Sequence, residues 1–150
     1  MPERSLTTPL GPVTLEARDG AITALHWRCG EANDDPLLVE AERQLTAYFA
    51  GRSEDFDLPF APQGTDLTLR TCAALQAIPF GETRTYGDLA AELNVPAQAI
   101  GQACGANPIP VLIPCHRILG ANGLGGFSAK GGVETKVWLL RHERAAGLLI

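Results

Sequence analysis

The sequence predicts a mixed α/β (α+β) fold: a small N-terminal antiparallel sheet with one helix, then a mostly helical C-terminal domain containing a helix-turn-helix. Three observations predict it. Residues 4–28 read as strands, with alternation at Val13–Ala17, broken by turn dipeptides. A capped stretch of helical periodicity follows. Beyond a Pro- and Gly-marked linker, further stretches of helical spacing appear, two of them meeting at Asn94. The boundary is placed at 64/65, giving domains 1–64 and 65–150.

Taken in order, Pro9-Leu10-Gly11-Pro12 is a turn and Val13–Ala17 alternates. Asp19-Gly20 is a hairpin signal, and Ile22 to Trp27 continues as a strand. Asp35 caps the first helix, Pro36 suits its first position and Gly51 stops it. Leu38, Ala41, Leu45, Tyr48 and Phe49 share one face. Residues 52–65 read as a linker, Leu67–Ile78 as a helix ended by Pro79, and 80–84 as a loop. Thr85 and Asp88 have capping-box spacing, and Tyr86, Leu89, Ala90 and Leu93 line one face of a short helix. Asn94 suits a left-handed turn, and Pro96 opens a second helix poor in long side chains. Residues 118–132 are glycine-rich but hold neither GxGxxG nor a Walker Lys-Ser/Thr ending. Val133–Ala146 is the last helix, with Val133, Val137 and Leu140 inward and Gly147 as its stop.

The chain has 150 residues, 45% hydrophobic and 19% charged, which fits a soluble globular protein. It shows no transmembrane-length apolar run and no signal-peptide pattern, so a cytoplasmic protein without membrane contact is expected. Cys29, Cys72, Cys104 and Cys115 show no CxxC spacing and read as free thiols. His26 and Cys29 lie close together, but two ligands make no zinc site, so no metal is expected. A net charge of −5 argues against a nucleic-acid binder on composition alone. Acids crowd the first sixty residues, and between Leu67 and Ile113 the few charges nearly balance.

The chemistry centres on Asn107-Pro108-Ile109-Pro110-Val111-Leu112-Ile113-Pro114-Cys115-His116-Arg117. Its prolines favour extended geometry, so it reads as a buried extended segment that presents Cys115. A Cys-His pair suits a nucleophile and its base, reached through a water since neighbouring side chains diverge. A core cysteine in a proline-rich loop is the alternative. Spacing alone does not choose the acid that would orient His116.

This segment resembles the active-site signature of the O6-alkylguanine-DNA alkyltransferases, and the resemblance runs from about Thr65 to Gly147. It implies DNA repair by irreversible, single-turnover transfer of the alkyl group of O6-alkylguanine, with O4-alkylthymine a further candidate, to Cys115. No cofactor is implied. It assigns His116 as base, Glu143 as its orienting acid and Asn107 as the brace of the active-site turn. Tyr86, Ile118, Phe127 and Ser128 would hold a flipped guanine. The implied partner is double-stranded DNA, met through the minor groove by Thr85, Tyr86, Pro96, Ala97, Gln98, Ala99, Gly101, Gln102 and Gly105, with Arg117 added. A monomer is expected. The sequence departs from the family at Gln98, where an arginine is usual, at Gly105-Ala106, where basic residues are frequent, at Cys72, where tryptophan is frequent, and in a longer Phe127–Gly132 loop. Two other readings are a non-catalytic protein that flags alkyl lesions, which the presence of Cys115 opposes, and a Cys-His-Glu thiol hydrolase.

Overall fold

The computed structural model describes residues 2–127 and 131–145. The chain divides into two compact units, 1–63 and 64–150.

In the first unit, β1 (Glu3–Thr8), β2 (Gly11–Arg18) and β3 (Ala21–His26) form an antiparallel sheet in that order. The β2–β3 turn is the two-residue Asp19-Gly20 loop. Both residues have positive φ (51° and 79°), as a hairpin turn that follows strand twist requires. Helix α1 (Pro36–Phe49) starts with Asp35, whose Oδ1 accepts from the Leu37 and Leu38 amides, and Pro36 occupies its first turn. Val13, Leu15, Ile22, Leu38, Leu45 and Tyr48 are all buried. Phe49, expected on the buried face, is only half-buried, while Gln44 is buried. Its amide brackets Asp57, donating to the carbonyl (3.1 Å) and accepting from the N–H (2.8 Å). The expected linker is therefore partly a strap. Ile22 exchanges backbone bonds with Pro59 and Ala61 (both 2.8 Å), which satisfies peptide groups on the sheet's outer strand.

In the second unit, α2 (Asp66–Gln76) is capped by Thr65 and stops just before Ile78-Pro79. Helix α3 (Tyr86–Leu93) has both halves of a capping box, with Thr85 Oγ1 accepting from the Asp88 amide (3.0 Å) and Asp88 accepting from the Thr85 amide (2.9 Å). Asn94 ends it in the left-handed conformation at φ 58°. Pro96 is the cap of α4 (Ala97–Gly105) rather than its first helical residue. Arg84, expected in a loop, joins the capping residue Thr85 in strand β4 (Arg84–Thr85), which pairs in parallel with β5 (Ile118–Leu119). A two-residue strand has no periodicity to read and exists only because a distant partner meets it.

The last helix, α5 (Gly132–His142), departs from expectation at its end and on its face. It stops four residues before Ala146. Arg144 turns left-handed (φ 54°), its amide donates to the Arg141 carbonyl and Ala145 donates to the Leu140 carbonyl. Gly147, the expected stop, lies outside the described residues. Val133 is 44% exposed and Val137 half-buried, whereas Thr135, Lys136, Leu139, Leu140 and Glu143 are buried. The buried stripe holds a lysine and a glutamate, so an apolar pattern could not reveal it. Among the described residues no helix is long and apolar enough to cross a membrane, and no group of three or more His, Cys, Asp or Glu is placed to hold a metal.

Candidate active site

Residues 107–117 do not run extended. Asn107 folds them back: its Oδ1 accepts from the Ile109 amide (3.0 Å) and its Nδ2 donates to the Ile113 carbonyl (2.9 Å). Val111 sits at φ 71°, a strained place for a β-branched residue, and Ile113 N–H bonds to the Ile109 carbonyl (2.9 Å). At Pro114 (φ −81°, ψ 68°) an inverse γ-turn brings the Cys115 amide 2.8 Å from the Ile113 carbonyl. Cys115–Arg117 then make one 3-10 turn into β5. The prolines fix φ but leave ψ free, so a side-chain bracket such as Asn107 can close the segment. Ile109 and Ile113 are fully buried and anchor it.

Cys115 is 6% exposed and opens on a cavity of about 410 Å³ lined also by Tyr86, Gly101, Cys104, Gly105, Gly126 and Phe127. Burial pushes the thiol up to about 11, against a smaller downward pull from Asn107 and from the Lys136 charge. Left alone at neutral pH it is a thiol, and a base has work to do.

His116 is fully buried. Its Nε2 lies 2.7 Å from Glu143 Oε2. Glu143 is itself buried at the C-cap of α5 and also takes Arg117 Nε (2.8 Å) and Nη2 (3.0 Å). Burial opposes ionisation of Glu143, but the His116 hydrogen bond and the paired guanidinium outweigh it and hold the carboxyl at about 2. Burial also lowers the His116 pKa, so the imidazole is neutral. A carboxylate only accepts, so the single imidazole proton must sit on Nε2. Nδ1 is left as the basic lone pair. It is buried and finds no hydrogen-bond partner among the described residues. Glu143 thus selects the tautomer that keeps the base available.

Arg117 corrects the expectation of a DNA contact. It is 6% exposed, forks onto Glu143, donates from Nη1 to the Ile78 carbonyl (2.7 Å) and lies 5.9 Å from the Phe80 ring centre. A buried guanidinium is held by the carboxylate that neutralises it, so it braces the site from within.

Of the residues expected around the base, Tyr86 and Phe127 line the cavity and Ile118 is buried at the start of β5. Ser128 lies outside the described residues. On α4, Pro96, Ala97, Gln98, Gln102 and Gly105 are exposed and Ala99 and Gly101 partly so, while Ile100, Ala103 and Cys104 pack inward. The exposed face is small, polar and uncharged. Two residues escaped sequence reasoning. Cys104 shares the cavity wall with Cys115. Lys136 is fully buried with its Nζ on the Leu124 and Gly126 carbonyls. The i, i+7 spacing of Lys136 and Glu143, with Leu139 and Leu140 between, was the available signal.

The family model described as "6-O-methylguanine DNA methyltransferase, DNA binding domain" matches residues 66–145, and the ribonuclease-like domain model of that methyltransferase matches 1–62. A methylated-DNA–protein-cysteine methyltransferase of Mycolicibacterium paratuberculosis is 40% identical over 94% of this chain and 91% of its own length. The crystal structure of Mycobacterium tuberculosis O6-methylguanine methyltransferase superposes with a TM-score of 0.84 at 38% identity, covering 95% of this chain and 92% of that one. A second structure, of Mycobacterium tuberculosis OGT in complex with DNA, gives 0.84 at 40% identity, covering 95% and 94%.

Proposed function

Because the chain belongs to the 6-O-methylguanine DNA methyltransferase family, we propose that it repairs DNA by moving the alkyl group of O6-alkylguanine irreversibly onto its own Cys115. The observation that carries this reading is a buried thiol on a cavity beside a histidine whose tautomer is fixed by a buried carboxylate. His116 Nδ1 takes the thiol proton through a bridging water. The sulfur attacks the alkyl carbon, the carbon–O6 bond breaks, and its electron pair goes to guanine, which ends with the proton. The products are a thioether and unmodified guanine. Nothing in this chemistry regenerates the thiol, so one chain repairs one base. Asn107, Glu143 and Arg117 act through position: Asn107 holds the turn that aims Cys115, and Arg117 keeps Glu143 ionised.

The second unit carries the chemistry and the DNA contacts. Helix α4 lies in the minor groove, where a smooth face of Ala97, Gln98, Gly101, Gln102 and Gly105 suits recognition by shape rather than by base edges. Thr85 and Tyr86 meet the backbone of the nucleotide that leaves the stack. The base enters the cavity between Tyr86 and Phe127, with the carbonyls of Cys115 and Ile118 toward its exocyclic amine. Hydrogen bonds to O6 or N3 stabilise the charge that develops on departure. An alkylated base pairs poorly, so extrusion costs less at the lesion. The protein acts as a monomer in the cytoplasm.

The test is the intact mass of the protein after mixing with a duplex carrying one O6-methylguanine. A stoichiometric gain of about 14 Da on Cys115, absent in Cys115→Ser, is expected for thiolate attack. An unchanged mass with tight lesion binding would mean a damage-recognition protein. A transient adduct with turnover would mean a thiol hydrolase.

A further inference from the structure

Lys136 is a costly residue to place where it stands. Its side chain is fully buried on α5, and desolvation lowers its pKa to about 8. Its compensation among the described residues is carbonyl oxygens and an aromatic face rather than a carboxylate. Nζ donates to the Leu124 carbonyl (2.6 Å) and the Gly126 carbonyl (3.1 Å), and lies 5.8 Å from the Tyr86 ring centre. Between those carbonyls is Gly125, at φ 73°. It is pressed so closely on Tyr86 that an added Cβ would stand 2.8 Å from the tyrosine Cε2 and 3.3 Å from its hydroxyl. Gly126 and Phe127, next along the chain, line the cavity together with Tyr86.

From this geometry we propose that Lys136 is a positioning residue that clasps the Leu124–Gly126 segment against Tyr86 and so builds the outer wall of the base pocket before any base arrives. The clasp explains why an ammonium replaces an apolar side chain on the buried stripe of α5. The segment contains two glycines in a row, has no helix or strand bonds of its own, and needs an external donor for its carbonyls. Only a long side chain with several N–H groups reaches two carbonyls two residues apart. Helix α5 also ends in Glu143, so one rigid element sets both the base-activating carboxylate and the wall of the pocket. Cys115, Cys104 and Tyr86 face the ammonium from the active-site turn, α4 and α3, so the same cation also favours the thiolate.

The inference rests on the cavity being the base pocket, but its first test does not. Hydrogen exchange of the full-length protein without DNA reads the clasp directly. In Lys136→Met, exchange of the amides in 120–127 should rise about tenfold or more relative to wild type, with α2 and α3 unchanged, because local opening is no longer opposed. Gly125→Ala retains the charge but pushes the segment off Tyr86, and should loosen the same amides. In both variants half-saturation for free O6-benzylguanine should worsen about tenfold while Cys115 of Gly125→Ala still reacts normally with iodoacetamide. Lys136→Arg should restore part of the protection. Unchanged exchange in Lys136→Met overturns the clasp. Loosened amides with unaltered half-saturation overturn its role in the pocket. Failure of wild type to gain a methyl would instead remove the proposed function and leave the exchange result standing.

Discussion

Replacing Glu143 by glutamine keeps the shape of the site and removes its charge. The carboxylate now accepts from His116 Nε2 on one oxygen and from Arg117 on both. An amide has one acceptor, and the guanidinium, a permanent cation, claims it. The amide N–H then faces Nε2, which becomes the acceptor, and the imidazole proton moves to Nδ1. The base is lost although every atom remains near its place. With Cys115 at about 11, roughly one thiol in 10⁴ is ionised at neutral pH without help. General-base assistance typically supplies 10²–10⁴-fold, so the single-turnover rate at pH 7 should fall by about that factor. The pH profile carries the more specific signature. Wild type should be nearly flat between about pH 7 and 9, since His116 stays neutral there. The variant should climb about tenfold per pH unit as the thiol ionises itself. The assay is quench-flow methyl transfer from an O6-methylguanine duplex, read as intact mass, with a urea melt of each protein alongside. The melt should show a loss of about 3–5 kcal/mol for an unpaired buried guanidinium. A folded Glu143→Gln protein within threefold of wild type and without a pH slope would refute the tautomer argument.

Glu143 should also make the fold acid-sensitive. Its folded pKa of about 2 lies below the ordinary 4.5, so its contribution is complete above about pH 5 and lost as pH falls toward 2, about 3 kcal/mol in all. His116, kept neutral by burial, acts in the same direction from about pH 6.5 downward. Urea midpoints across that range should fall for wild type and fall less for Glu143→Gln. Asn107→Ala removes both side-chain bonds that close the active-site turn and should cost about 1–3 kcal/mol in a urea melt, with transfer slowed further by a misaimed thiol. Gln98→Arg on the exposed face of α4 should raise duplex affinity and transfer rate, since arginine adds phosphate attraction and base stacking. Equal rates in duplex would show that position 98 does not face the DNA.

Local signals in the sequence were accurate where a short stretch decides its own geometry. The Asp19-Gly20 hairpin, the Asp35 cap, the Thr85–Asp88 capping box and the left-handed Asn94 stand as expected, because each is settled within about four residues. Elements settled by distant partners were hidden. Strand β4 needs β5, and the strap after α1 needs Gln44 and Ile22. On α5 Leu140 is buried as expected while Val133 and Val137 are not, because the buried stripe includes Lys136 and Glu143, which hydrophobic periodicity counts as solvent-facing. Cys115 and His116 were visible as neighbours in sequence. The union with Glu143 was visible only through resemblance to a family, because a buried carboxylate 27 residues away leaves no spacing rule. The inward turn of Arg117 follows from that same carboxylate and could not be read from its place beside the histidine.

The uncharged face of α4 has a consequence for how such a protein meets a genome. A DNA-binding surface rich in lysine and arginine displaces many condensed counterions, and its affinity collapses as salt rises. The helix Ala97-Gln98-Ala99-Ile100-Gly101-Gln102-Ala103-Cys104-Gly105 carries no lysine or arginine to pair with a phosphate. On the proposed function, contact through it gains little on undamaged DNA and loses little as salt rises. Time spent at any one site is then brief, and commitment waits for a base that is already easy to extrude. For a chain that reacts once, loose attachment to the intact duplex keeps each molecule available for the rare position where its thiol is needed.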